Sequence, residues 1–150
     1  MSTAALQECL AAEHAAVYGY GVLGGVLAGA SSGTDGSTSA EVTAFQQLAA
    51  AGYVEHRRRR DDLTELISGQ GADPVAAEPA YELPKRVTTP EDCRDLALLI
   101  EDRCAQTYAD AVARSVDEDR EFAARALTGC ALRAASWGAE ADPFPGLAEF

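Results

Sequence analysis

Three ionisable residues fall where a folded chain would bury them. With side chains set at 100° intervals around a helix, Glu13 lies in the apolar stripe Leu6, Leu10, Val17, Gly24. His56 lies likewise among Phe45, Ala49, Gly52, Leu63 and Ile67, and Glu101 among Ala97, Cys104, Tyr108 and Val112. His14 sits at the edge of the first stripe, next to Tyr18. Buried ionisable groups are costly unless paired or bound to metal, so Glu13, His56 and Glu101 are expected to be one another's partners. Carboxylate and imidazole suit a single iron, manganese or zinc ion. An arginine could equally neutralise the acids without metal. Arg133 on the fourth helix is one candidate, and Arg60, one turn beyond His56, is another.

A two-metal centre in a four-helix carboxylate protein needs more. Two helices each supply one Glu, and the other two each supply Glu-x-x-His. Glu13 and Glu101 could be the single acids and His56 one of the histidines. The position three before His56 is Tyr53, however, and the fourth helix has no Glu-x-x-His. Its inward side carries Phe122, Ala126, Cys130, Arg133 and Trp137 instead. The expectation is a buried Glu/His/Arg network with no cofactor; the alternative is one metal ion on Glu13, His56 and Glu101, with His14 beside them.

Four helices must position these residues. The first should run over about 3–29, with interior glycines that suggest close approach of a neighbouring helix or subunit. The segment Ser31-Ser32-Gly33-Thr34-Asp35-Gly36-Ser37 reads as a flexible loop. The second helix, about 38–68, opens on a capping box of Thr38 and Glu41. A long connection with Pro74, Pro79 and Pro84 follows. The third, about 90–114, starts at Thr89-Pro90-Glu91-Asp92, a cap, a first-turn proline and acids on the positive helix end. Ser115 and Glu118 read as a second capping box that begins the fourth, about 116–137. The tail with Pro143 and Pro145 reads as irregular. One long crossover between the second and third helices predicts an all-α, ferritin-like four-helix up-down bundle forming a single domain over 1–150.

Composition narrows the function classes. A chain of 150 residues with 47% apolar content can bury one core. The net charge of −12 disfavours nucleic acid and anionic lipid as partners. The run Arg57-Arg58-Arg59-Arg60 is followed by Asp61-Asp62 and reads as a solvated, ion-paired helix face. Residues 15–34 carry no charge, but Arg57 is the first arginine or lysine, which argues against a signal peptide. Five glycines between 19 and 29 dilute the hydrophobicity a membrane span would need. Cys9, Cys93, Cys104 and Cys130 form no C-x-x-C pair and read as buried thiols in a reducing cytoplasm.

The opening Leu6-Gln7 and Ala12-Glu13-His14-Ala15-Ala16-Val17-Tyr18-Gly19-Tyr20-Gly21-Val22 resembles the ferritin-like domain of unknown function (DUF4439-type) of alanine-rich actinobacterial proteins. His56-Arg57, Arg60-Asp61, Ala80-Tyr81-Glu82-Leu83-Pro84 and Ala135-Ser136-Trp137 are similar to it as well. The resemblance covers nearly the whole chain and implies the bundle, often packed as a dimer, without bringing an activity. Glu13, His14 and His56 match its motif positions, whereas the fourth helix departs from the di-iron pattern of true ferritins. The leading expectation is a non-catalytic, self-associating or binding protein, a homodimer. A non-heme iron or manganese oxidoreductase, or a bundle holding a small organic ligand, is the alternative.

Overall fold

The computed structural model describes residues 1–30 and 40–140. The expected loop at 31–37, the Thr38 half of the first capping box and the tail with Pro143 and Pro145 lie outside them. The described chain is an all-α four-helix bundle: α1 Thr3–Ala30, α2 Ala40–Gly69, α3 Pro90–Ala113 and α4 Asp117–Ser136. No helix among the described residues is long and apolar enough to cross a membrane.

Side-chain bonds between helix ends fix the directions. Thr3 at the start of α1 bonds Gln70 just past α2 (2.8 Å), and Gln46 near the start of α2 bonds the Leu27 carbonyl of α1 (3.0 Å). Cys93 at the start of α3 reaches the Leu23 carbonyl of α1, and Arg114 just past α3 pairs with Glu8. Arg94 near the start of α3 donates to the Trp137 carbonyl past α4 (2.8 Å). α1 is therefore antiparallel to α2 and α3, and α3 is antiparallel to α4. The connection over 70–89 spans the bundle so that α2 and α3 can run parallel. It is clamped along α1, where Gln7 donates to the Asp73 carbonyl (2.7 Å) and accepts from the Val75 amide (2.7 Å). Tyr18 packs on Tyr81 with ring centroids 5.5 Å apart.

Local chemistry explains the starts of α3 and α4. The Thr89 hydroxyl accepts from the Asp92 amide while the Asp92 carboxylate accepts from the Thr89 amide, and Pro90 needs no partner in the first turn. Ser115 does not cap α4. Its buried hydroxyl donates to the Ala111 carbonyl (2.6 Å), which also accepts from the Arg114 amide (3.2 Å). The N-cap of α4 is Val116, without a side-chain cap bond, and Asp117 turns the chain at a positive φ of 51°.

The core is built from Leu6, Leu10, Leu23 and Leu27 of α1, Leu63 and Ile67 of α2, and Leu96 and Tyr108 of α3. α4 turns only small residues fully inward, Ala123, Ala126 and Cys130. Trp137 closes one end, with Phe45 against it at 5.1 Å. At Gly19 and Gly52 an added side chain would meet a neighbour. A Cβ at Gly19 would fall 2.6 Å from Ile100 Cδ1, and one at Gly52 would fall 2.6 Å from Tyr20 Cζ. The Tyr20 hydroxyl is held at both sides by Glu101 and Trp137, so its ring cannot rotate away. Gly52→Ala is expected to destabilise by about 1–3 kcal/mol through overpacking, measured by urea unfolding. Gly25→Ala, with nothing within 4 Å of the new Cβ, should instead stabilise the folded chain slightly.

Candidate functional site

At mid-bundle the imidazole of His56 lies between two carboxylates. Its Nδ1 is 2.6 Å from Glu13 Oε2 and its Nε2 is 3.1 Å from Glu101 Oε1. All three side chains are fully buried. Burial opposes charge on His56, but its hydrogen bonds to Glu101 and Glu13 outweigh that and raise its pKa to about 9. Burial likewise opposes ionisation of Glu101, yet the His56 and Arg133 contacts prevail and hold it at about 2. At neutral pH an imidazolium thus stands against the Glu101 carboxylate, with Glu13 on its other ring nitrogen.

Each acid has further donors. Arg133 grips Glu101 with two parallel bonds, Nε to Oε1 at 2.9 Å and Nη2 to Oε2 at 3.0 Å. Tyr20 donates to Glu101 Oε1 at 2.5 Å, and Tyr108 to Glu13 Oε1 at 2.6 Å. Trp137 Nε1 donates to the Tyr20 oxygen at 3.2 Å. Arg59, 3% exposed, lies 3.8 Å from Glu13 and 3.3 Å from Glu55 and donates to the Cys130 sulfur at 3.2 Å. Gly129 on α4 leaves the room, since a Cβ there would collide with Arg59 Nη2. Among the described residues, no buried side-chain nitrogen or oxygen is without a hydrogen-bond partner.

The structure brings together Glu13, His56, Glu101 and Arg133. It places His14 and Arg60 elsewhere. His14 bonds the Val75 carbonyl at 3.0 Å and so fastens the crossover to α1, on the same helix face as Gln7 and Tyr18. Arg60 pairs with Asp61 at 2.6 Å on the outside of α2. The run 57–60 is accordingly not all solvated: Arg58 pairs outside with Glu55 and Asp62, while Arg59 turns inward. The two tyrosines have a sequence signature that the stripes alone do not weigh. Tyr20 follows Glu13 by seven residues, and Tyr108 follows Glu101 by seven. Two turns along antiparallel helices bring each hydroxyl level with the acid of the other helix, hence the reciprocal pair of bonds.

A metal needs a lone pair on a neutral imidazole, and both His56 nitrogens point at carboxylates. The carboxylate oxygens are engaged by tyrosine and guanidinium. Among the described residues no group of three or more His, Cys, Asp or Glu is arranged to hold a metal ion. What the arrangement does offer is charge balance and a fixed register between helices α1, α2, α3 and α4.

The family model described as "Domain of unknown function (DUF4439)" matches residues 5–149. A crystal structure of a conserved hypothetical protein from Mycobacterium tuberculosis is similar at 32% identity, covering 89% of this chain and 92% of that one, with a TM-score of 0.75. No curated protein matches the chain.

Proposed function

Because the chain belongs to the DUF4439 family of domains of unknown function, which carries no named activity, we propose a degenerate ferritin-like domain that works by binding and self-association. The observation that carries this reading is the position of His56, with both ring nitrogens engaged by Glu13 and Glu101. A protonated imidazole clamped between two acids is a structural salt bridge, and the fourth helix turns Arg133, a cation, toward Glu101. The protein is proposed to hold no resident metal, to reside in the cytoplasm and to leave nucleic acid and membranes alone, consistent with its −12 charge.

The proposed partner is a second copy of the chain. Gly21 and Gly24 of α1 leave an open face beside Ala50 and Tyr53 of α2, where a shallow groove of about 410 Å³ runs between the helices. Small residues there would let a helix of a second copy approach closely. A monomeric mass by light scattering at tens of micromolar would remove that part of the proposal.

The metal question is tested by elemental analysis of protein purified without chelators and then incubated with iron, manganese or zinc. Far less than one equivalent is expected, and no difference in Glu13→Ala or His56→Ala. Stoichiometric metal that disappears in both variants would replace this reading with the non-heme metal one.

A further inference from the structure

Away from the central network, α1, α3 and the crossover enclose a cavity of about 440 Å³. The sequence makes the room. Ala12, Ala15, Ala16 and Gly19 recur at helical spacing, so this side of α1 carries nothing beyond a Cβ. Leu96, Leu99 and Ile100 line the space from α3, and Tyr81, Leu83 and Pro84 of the crossover form the third wall.

The crossover is held on both sides and so keeps the space open. On α1, His14 bonds the Val75 carbonyl (3.0 Å) and Tyr18 packs on Tyr81. On α3, Asp92 and Asp95 pair with Lys85 at 3.0 and 2.8 Å, directly after Pro84. The volume falls in the lower part of the range of roughly 300–1,000 Å³ for small-ligand pockets, which are mostly apolar with a few polar groups that fix orientation.

Such groups are present at the opening. Arg103, one turn past Leu99 and Ile100, is exposed, and its guanidinium makes no ion pair or hydrogen bond among the described residues. The Tyr81 hydroxyl accepts from the Glu78 amide (3.1 Å), a bond that leaves its own hydrogen to donate. Gln106 and Thr107 spend donors inside α3, on Asp102 (2.8 Å) and the Arg103 carbonyl (3.0 Å). Glu82, also unpaired among the described residues, is the one acid on the lining. Donors therefore outweigh acceptors here. A guanidinium fork matches a carboxylate with two parallel bonds, as Arg133 does on Glu101 at mid-bundle.

The geometry points to a new ligand site: the cavity takes a small amphipathic monocarboxylate, with its apolar or aromatic body among Ala15, Leu99, Ile100 and Tyr81 and its carboxylate on Arg103. This gives the binding role proposed above a ligand class without resting on the groove between α1 and α2. A monomeric mass would remove the second copy as partner and leave this site untouched.

The test titrates the full native chain with 2-naphthoate by isothermal calorimetry at low ionic strength. The uncharged 2-naphthamide and the cationic 2-naphthylmethylammonium serve as counterparts of the same body. About one equivalent of the carboxylate is expected to bind, at least about tenfold more tightly than either counterpart, as a charge-assisted pair of bonds would give. Arg103→Gln, a change at an exposed side chain, should abolish that preference. Glu82→Gln should tighten carboxylate binding by removing a like charge from the opening. Ala15→Leu should fill the room and abolish binding of all three probes. Equal affinity for carboxylate and amide, tighter binding of the ammonium, or a preference that survives Arg103→Gln would overturn the proposal. So would the lack of saturable binding at millimolar 2-naphthoate. Arg103→Gln decides by itself if Ala15→Leu does not fold.

Discussion

Replacing Glu101 by alanine is expected to lower the free energy of unfolding by about 3–5 kcal/mol, the range found when one partner of a buried ion pair is removed. Glu101 is fully buried and receives bonds from His56, Tyr20 and the Nε and Nη2 of Arg133. Without it, Arg133 and His56 face each other across a site that water does not reach, and the Tyr20 hydroxyl loses its acceptor. The loss should show as a lower urea midpoint at an unchanged denaturant slope. Glu101→Leu combined with Arg133→Leu should cost much less than the sum of the single changes, since removing both charges leaves neither uncompensated. This experiment also separates the two readings of the site. In a true metal centre stripped of its ion, clustered carboxylates repel, so deleting one is neutral or stabilising. A change below about 1 kcal/mol in the metal-free protein would therefore contradict a structural network of the kind described.

The parts of this site that the sequence makes visible are those that depend on helical periodicity alone. Glu13, His56 and Glu101 each interrupt an apolar stripe, and the cost of burying a lone charge makes them partners before any coordinates are known. The choice between Arg59 and Arg60 is different. Three and four residues beyond His56 are both close to its face, and which one turns inward depends on where α4 runs. Gly129 and Cys130 make the opening that Arg59 occupies. His14 was out of reach for a related reason: its partner is a backbone carbonyl in the crossover, whose path composition does not specify. Ser115 satisfies the capping pattern with Glu118, yet its hydroxyl bonds the carbonyl four residues back in α3, a local alternative to capping that the pattern does not weigh. The seven-residue spacing from each acid to its tyrosine was present in the sequence. It becomes meaningful only once α1 and α3 are known to be antiparallel neighbours.

Stability should be highest in weakly acidic solution and fall as pH rises from about 6.5 toward 9. The direction follows from His56, which is bonded on both ring nitrogens and has a folded-state pKa of about 9 against an ordinary 6.5. Above 6.5 the unfolded chain has released this proton while the folded chain keeps it, so each pH unit lowers stability by about 1.4 kcal/mol. The cumulative loss approaches about 3 kcal/mol near pH 9, where the folded-state imidazole also discharges. Glu13 and Tyr20 face the ring from α1 and Glu101 faces it from α3, so nothing beside it but Arg59 and Arg133, each on an acid, would oppose its charge. Cys9 and Cys93 add to the decline only close to and above their ordinary value of 9.0, whereas Cys130, held below that value, acts with the opposite sign beneath 9.0, so the His56 slope is read with Cys130 replaced by alanine. On the acid side the sign reverses. Glu101 is held at about 2 against an ordinary 4.5, so its contribution is complete above 4.5 and is lost as pH falls through 2. These are two views of one ion pair and do not add. Urea midpoints between pH 5 and 8.5 should trace the slope in Cys130→Ala and be flat, at a lower level, when His56→Gln is added. A flat profile in Cys130→Ala would mean that His56 is neutral in the fold, with a ring nitrogen free to bind metal. A sloping profile places that lone pair out of reach until the pH at which the bundle itself has lost its central salt bridge.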